Sequence, residues 1–435
     1  MRRDIIAMRQ KERQRYHLLK MVVEDALTLQ QAKSIMGVSY RHAKRLKRKL
    51  LREGARGLVH GNRGRPSPRA LHHKLSQRII ELSQYTYARF NDTHFTEKLN
   101  EVEGISVSRD TVRRLRRSHG IPPKRKRRAQ KHHQRRPRKP HAGMMVLWDG
   151  SPHHWFGEQR PPCCLMAAID DATSELLDAF FIASECSFGY LTLLEHIVKR
   201  YGIPCAIYQD RHGSLHRNDD HWTLEEQLNG EQEPTQVGGV LKALGITPIF
   251  ALTPQAKGRV ERLFGVLQDR LIAEFELKDI TEMDAGNTFL TEQFIAEHNR
   301  RFAVAPELSH RAWRRVPKDV DSKRTISFCY QAVVGNDNAV RLGGMVIDIP
   351  EGPRQRGYAK ATVEVRQLLD GSWRVYYKDI LIAQTDPTPV REPIRTKPRR
   401  KSWARAASEE KWVYIASAVE GDIFTKQLRG HIDKA

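Results

Sequence analysis

At 435 residues the chain is too long for one ordinary domain, and about three are expected. Its 75 Lys and Arg against 51 Asp and Glu leave a net charge of +24 and a pI near 10.0, which points to a polyanionic partner, nucleic acid ahead of a membrane surface. Five cysteines without a CxxC pair argue against a zinc site or a disulfide framework, and no signal-length core or membrane-length apolar window is present, so a soluble protein of a reducing interior is expected.

Residues 1–60 read as helical. Leu18, Leu19, Val22 and Val23 share a stripe; 29–39 (LQQAKSIMGVS) then spells a short helix, a Gly turn and a Ser39 cap opening a basic helix over Tyr40–Glu53. That helix would turn Tyr40, Arg41, Lys44, Arg45 and Lys47 outward, with Ala43, Leu46 and Leu50 inward. This suits a helix-turn-helix in a DNA major groove, although a solvated helix pair that binds nothing would carry the same charges. His60–Arg69 is a linker in which Gly64-Arg65-Pro66 fits a minor groove or a plain spacer equally well.

A second helical unit, 70–121, repeats the plan. Leu75, Ile79, Ile80 and Leu82 form one stripe, and Phe95, Leu99 and Val102 another. Ser106-Val107-Ser108 caps a basic helix, Arg109–His119, with Val112 and Leu115 inward and Arg109 and Arg113 free to reach DNA. Residues 122–140 hold ten Lys or Arg and no acid. Such a block, including Lys124, Arg125, Lys126, Arg127 and Arg128, reads as a mobile linker that neutralises phosphates without reading bases.

Residues 141–316 read as an α/β core. Met144–Trp148 is an apolar strand leading into Asp149. Cys164–Ile169 and Leu176–Ile182 are two more, joined by a turn that contains Asp170 and Asp171, both read as structural. A helix over Leu191–Tyr201 precedes a fourth strand, Cys205–Gln209, which leads into Asp210. A polar stretch, 211–235, reads as a surface insertion. A helix over Val237–Leu244, a strand over Ile246–Leu252 and a helix over Lys257–Phe275 complete the core, the last carrying Glu261 beside a stripe of Val260, Leu263, Phe264, Leu267 and Leu271. Any one of these acids could be a turn former or half of a surface ion pair. Three in the order strand–Asp, strand–Asp, strand–turn–helix–Glu are what an RNase H-like sheet brings together.

Beyond the core, 322–386 alternate apolar and polar residues over Thr325–Val334, Val340–Ile349, Ala361–Leu368 and Trp373–Ile382, with Gly343-Gly344 and Asp370-Gly371 as turns. Short strands this close together predict a small β-barrel. The tail, 387–435, is basic, with one short helix expected near 409–417.

Pro254–Glu261 (PQAKGRVE), Trp148-Asp149-Gly150, Asp210 with Gly213, and Asn299-Arg300-Arg301 with Pro306 resemble the DDE transposases and retroviral-type integrases. Thr253–Leu271 is most similar to bacterial insertion-sequence transposases of the ISNCY group. Many integrases have Asp-Asn-Gly at the second acid, whereas this chain reads Asp210-Arg211-His212-Gly213. The resemblance implies a multidomain fold with an integrase-type core. It implies an enzyme that binds element ends and performs cleavage and strand transfer on double-stranded DNA, as a homo-oligomer in a bacterial cytoplasm at the nucleoid. Asp149, Asp210 and Glu261 would hold two Mg²⁺ ions, with Mn²⁺ able to substitute, because in-line phosphoryl transfer needs hard cations on rigidly placed oxygens. Lys257 would reach a phosphate near the site, and Arg259 would either do the same or pair with acids. The arm at 122–140 would be long enough for the readers of one subunit to serve the acids of another. A sequence-specific DNA-binding regulator would leave the acids unexplained, and a structure-specific nuclease of the same fold would not need two readers.

Overall fold

The computed structural model describes residues 6–63, 71–125, 136–217, 222–251, 258–318, 320–389, 393–394 and 413–415; Arg65, Lys126, Arg127, Arg128 and Lys257 lie outside them. The chain divides into two compact units, Met1–Ile79 and Ile80–Ala435. No helix among the described residues is long and apolar enough to cross a membrane.

In the first unit α1 (Gln10–Val23), α2 (Leu29–Met36) and α3 (Tyr40–Glu53) close around Leu19, Leu46 and Leu58. Thr28 and Gln31 cap α2 reciprocally. Gly37 then ends it at φ +63°, a conformation that costs a side chain with a Cβ about 1 kcal/mol or more, and the Ser39 hydroxyl accepts from the His42 amide to open α3. The helix, turn and helix therefore fall where caps and the Gly put them.

After α4 (His73–Gln84), the second unit continues with α5 (Asp92–Glu101), capped by Asn91, and α6 (Arg109–Ser118), capped by Ser108. The core sheet follows: β1 (Val146–His153), β2 (Cys163–Asp170), β3 (Leu176–Ile182), α7 (Ser187–Arg200), β4 (Ala206–Gln209), α8 (Leu224–Asn229), α9 (Gln236–Ala243), β5 (Thr247–Phe250) and α10 (Gly258–Lys278). Its strand order is β3-β2-β1-β4-β5; β1 to β3 are antiparallel, and β4 and β5 run parallel to β1. This is the RNase H-like order expected from the sequence. The insertion at 211–235 contributes α8, capped by Thr223.

Alternation along β1 builds the two faces. Val146 and Trp148 join Tyr190, Ile197 and Leu241 on the side of α7 and α9. Met145 and Leu147 join Leu263, Phe264 and Leu267 of α10 on the other, together with α11 (Met283–Phe289) and α12 (Ile295–Phe302). The strand expected to stop at Trp148 runs on to His153, because β2 pairs with all eight of its residues. Asp149 is therefore a mid-strand residue.

The C-terminal strands, β6 (Phe328–Val333), β7 (Ala339–Leu342), β8 (Met345–Asp348), β9 (Thr362–Gln367), β10 (Trp373–Tyr377), β11 (Ile380–Gln384) and β12 (Val413–Ile415), form two ladders, β11-β10-β9-β6 and β12-β8-β7. No strand pairing joins the ladders among the described residues. Trp373–Ile382 is a hairpin rather than one strand. Lys378 and Asp379 both adopt positive φ, +48° and +63°, and make the turn without a glycine. Within the tail, where a helix was expected near 409–417, β-branched Val413 and Ile415 flank Tyr414 in a strand parallel to β8.

Candidate active site

Two features of the backbone bring Asp149 and Asp210 together. Strands β1 and β4 are adjacent and parallel, with Val146 opposite Ile207 and Leu147 opposite Tyr208. Extended by two residues, that register sets Asp149 level with Asp210, the residue that follows the end of β4. Beneath the acids, the buried Trp148 indole donates to the Gln209 side-chain oxygen at 3.0 Å and ties the two strands. Asp210 accepts from the His212 amide at 2.9 Å, closing a turn that ends the strand.

A third carboxylate joins them. Asp149, Glu185 and Asp210 each offer an oxygen, and these oxygens lie within 4.8 Å of one another. Glu185 sits between β3 and α7. The Tyr190 hydroxyl, one turn into α7, donates to its Oε1 at 2.5 Å, and His212 Nδ1 stands 3.6 Å from the same oxygen. A Cβ on Gly150 would lie 2.7 Å from the Glu185 carboxylate, so the residue after Asp149 leaves the room that Glu185 uses.

The negative field of this cluster is felt nearby. Burial, reinforced by the Glu185, Asp149 and Asp210 charges, pushes the Tyr190 hydroxyl far above its usual range and keeps it a neutral donor. Burial, with Glu185 and Asp149 behind it, pushes the Cys164 thiol up to about 12. Three half-buried carboxylates with no soft ligand make a donor set for a hard divalent cation such as Mg²⁺.

Glu261 is not part of this cluster. It is exposed in the first turn of α10, beside buried Val260 and Leu263. The neighbouring Arg259 gives the reason. Its guanidinium is taken by buried Asp171 and by the Arg136 carbonyl, and the Asp171 amide donates to Met145 where β1 is about to begin. The first turn of α10 is thereby held near the start of β1, whereas the acids lie farther along it. Asp171 also accepts from Arg136 at 2.5 Å and from the Lys139 amide at 2.8 Å; burial works to raise its pKa, but these partners bring it below the usual range. Asp170 accepts from Gly143 and Thr173. Both acids of the turn are structural.

No family model matches the chain. Among curated proteins it is 35% identical over 380 residues to y4bF of Sinorhizobium fredii, which carries a provisional transposase name; the match covers 86% of this chain and 80% of that protein. It is 30% identical over 365 residues to the transposase of insertion sequence IS1202 from Streptococcus pneumoniae, covering 76% of each. The chain belongs to the insertion-sequence transposases. Solved structures similar to this transposase include an intasome of simian T-cell lymphotropic virus with a PP2A regulatory subunit, at 13% identity and TM-score 0.30 over 71% of this chain and all of that one. Another is the magnesium complex of the HTLV-2 integrase catalytic core, at 13% identity and TM-score 0.24 over 35% and 89%.

The basic residues expected to meet DNA fall into two groups in this transposase. On α3, Tyr40, Arg41, Lys44 and Arg45 are exposed, and a shallow groove there also takes in Arg48, which sequence reasoning misses. Lys47 turns instead toward α1 and donates to the Val22 carbonyl at 3.4 Å. Burial, with Arg45, Arg15 and Lys49 behind it, lowers the His42 pKa, a sign of positive potential on this face. On α6, Arg109 and Arg113 are exposed beside Lys124 and Arg125. His153 and His154 stand apart from the acids: His153 rests against Trp155, and His154 bonds the Arg160 carbonyl.

Proposed function

We propose that this transposase cuts and joins DNA strands through a divalent-metal site centred on Asp149 and Asp210. The observation that carries the reading is their side-by-side placement on adjacent parallel strands, with Glu185 closing the group. Asp149, Asp210 and Glu185 would hold the divalent metal, and Glu261 would join them once DNA is bound. The Mg²⁺ ions such a site would hold, replaceable by Mn²⁺, supply charge neutralisation on the phosphate and an activated water. The chain contributes rigid carboxylates, a neutral Tyr190 that keeps Glu185 in place, and arginines for the flanking phosphates. No side chain acts as nucleophile: water attacks first, and the freed DNA 3′-hydroxyl attacks next. The helix-turn-helix of α2 and α3, with Tyr40, Arg41, Lys44 and Arg45, and the basic α6, with Arg109 and Arg113, would hold the element ends. The C-terminal strands, as a small barrel, would hold target DNA or a second subunit of a homo-oligomer that acts at the nucleoid.

The test uses duplexes that carry the ends of the encoding element. Asp149→Asn and Asp210→Asn are expected to abolish cleavage and joining in Mg²⁺ while end binding in a mobility-shift assay stays within about twofold. Near-normal joining by either variant would remove that residue from the site.

A further inference from the structure

We infer that α5 and α6 are docked on the catalytic core, and that α6 and α10 form the two walls of one cleft that takes a DNA strand past Glu261. This rests on the proposed DNA-cutting function and goes beyond it, because it fixes the reader to the catalytic helix where the sequence suggests a free arm.

The docking is made by opposite charges that meet across elements 173 to 200 residues apart. Arg270 of α10 grips Glu97 of α5 through two bonds, 2.7 and 2.9 Å. Glu274 accepts from Lys98, with 2.7 Å between them, and lies 2.8 Å from His94; the His94 and Glu274 side chains are each 5% exposed. Arg301 of α12 grips Glu101 at 2.6 and 2.9 Å. Asn91, the cap of α5, also bonds Asp269. Two-pronged guanidinium–carboxylate pairs, one of them nearly buried, are the strong and directional kind. A unit that swung freely would keep these groups in water. The arm itself is pinned at both described ends: Lys124 meets Asp269 at 2.7 Å, and Arg136 meets Asp171 at 2.5 Å.

Docked in this way, α6 faces the first turns of α10 across an open cleft of about 870 Å³. Seven Lys or Arg line it against three acids. Asp92 is paired with Arg116 and Arg117, and Asp269 with Lys124, so two of the three acids are already balanced. Arg113, Arg125 and Arg262 form no ion pair among the described residues. What remains is a row of arginines with Glu261 among them. A phosphate backbone fits the arginines, and an acid at that point is tolerable to a polyanion where a cation lies between them. Both walls belong to one subunit.

The experiment uses the full chain and end duplexes in Ca²⁺, a hard cation that carboxylates bind in place of Mg²⁺ without its strict octahedral geometry, so that binding is read without cleavage. Arg113→Ala and Arg262→Ala are each expected to lower the slope of log affinity against log salt by about one. Ethylation interference should lose phosphates on the same strand, within about one helical turn of each other. Glu97→Arg should keep the phosphates that depend on Arg113 and lose those that depend on Arg262, and Glu97→Arg with Arg270→Glu should restore both. An unchanged slope for Arg262→Ala, phosphates on different strands, or a polyglutamate peptide that competes as well as DNA would overturn the cleft. Absence of cleavage by the wild-type chain in Mg²⁺, with the interference pattern intact, would instead count against the DNA-cutting function and leave the cleft standing.

Discussion

His298 gives the junction of α10 and α12 a pH threshold. The side chain is 5% exposed, stacked between Phe294 and Phe302, with Arg270 nearby on α10. Burial, reinforced by the Arg270 charge, pushes its pKa down from 6.5 to about 4. A group with a lowered cationic pKa takes up its proton more readily in the unfolded chain. The stability it contributes is therefore complete above about pH 6.5 and is lost as the pH falls toward 4. At about 1.4 kcal/mol per tenfold change, the loss is about 2 kcal/mol by pH 5 and at most about 3 kcal/mol below pH 4. His94, whose pKa burial also lowers against the pull of Glu274, adds in the same direction. The carboxylates that face the junction, Glu97 and Glu274, are held below their usual range despite burial, and so stay charged over this interval. Hydrogen exchange read peptide by peptide and corrected for intrinsic rate should show the α12 amides opening about 30-fold more at pH 5 than at pH 7. His298→Phe should remove most of that difference. An opening constant that does not change with pH, or a full pH dependence surviving in His298→Phe, would refute the argument.

Two further outcomes are expected at the sheet. Glu185→Gln should weaken Mn²⁺ binding, measured by calorimetry on the free protein, by about tenfold or more, while Tyr190→Phe should weaken it less because it only loosens Glu185; unchanged binding in Glu185→Gln would leave the pair of aspartates alone. Gly143→Ala should destabilise the fold by about 2–4 kcal/mol in urea titrations, since Gly143 has φ +86° and a Cβ there would lie 2.7 Å from the Trp313 ring and 2.8 Å from its backbone nitrogen. A cost below about 1 kcal/mol would mean that Trp313 yields.

Asp149 and Asp210 could be read from the sequence because each comes after an apolar run that must be a strand, and adjacent parallel strands bring the residues beyond such runs side by side. Glu185 could not. It stands in Ser184-Glu185-Cys186 with no periodic run of its own, and it reaches the site from the loop between β3 and α7, where Gly150 leaves space. A glycine next to a candidate catalytic acid is the one local hint that another side chain approaches. Order along the chain makes Glu261 the third acid; here it stands outside the cluster, in a helix whose Arg259 is held by Asp171, and a pairing across 88 residues leaves no trace in local periodicity. The same holds for α5. Glu97, Lys98 and Glu101 have the look of a solvated face, and their partners lie on α10 and α12. The Lys378-Asp379 hairpin escaped notice because neither residue announces a positive φ.

The core on the α7 and α9 face does not stop at the edge of the catalytic sheet. It runs from Trp148 and Tyr190 through Val240 to Phe328, Val365 and Trp373, and the Gln236 side chain closes two hydrogen bonds on the Cys329 backbone, each 2.9 Å. Evolution and protein engineering both trade in detachable parts, and this seam is not one. A fragment cut after residue 316 would carry the whole carboxylate cluster yet bare the oily flank of α9, so it should be recovered as aggregate. Exchange of C-terminal segments between related elements would succeed only where α9 and β6 travel together.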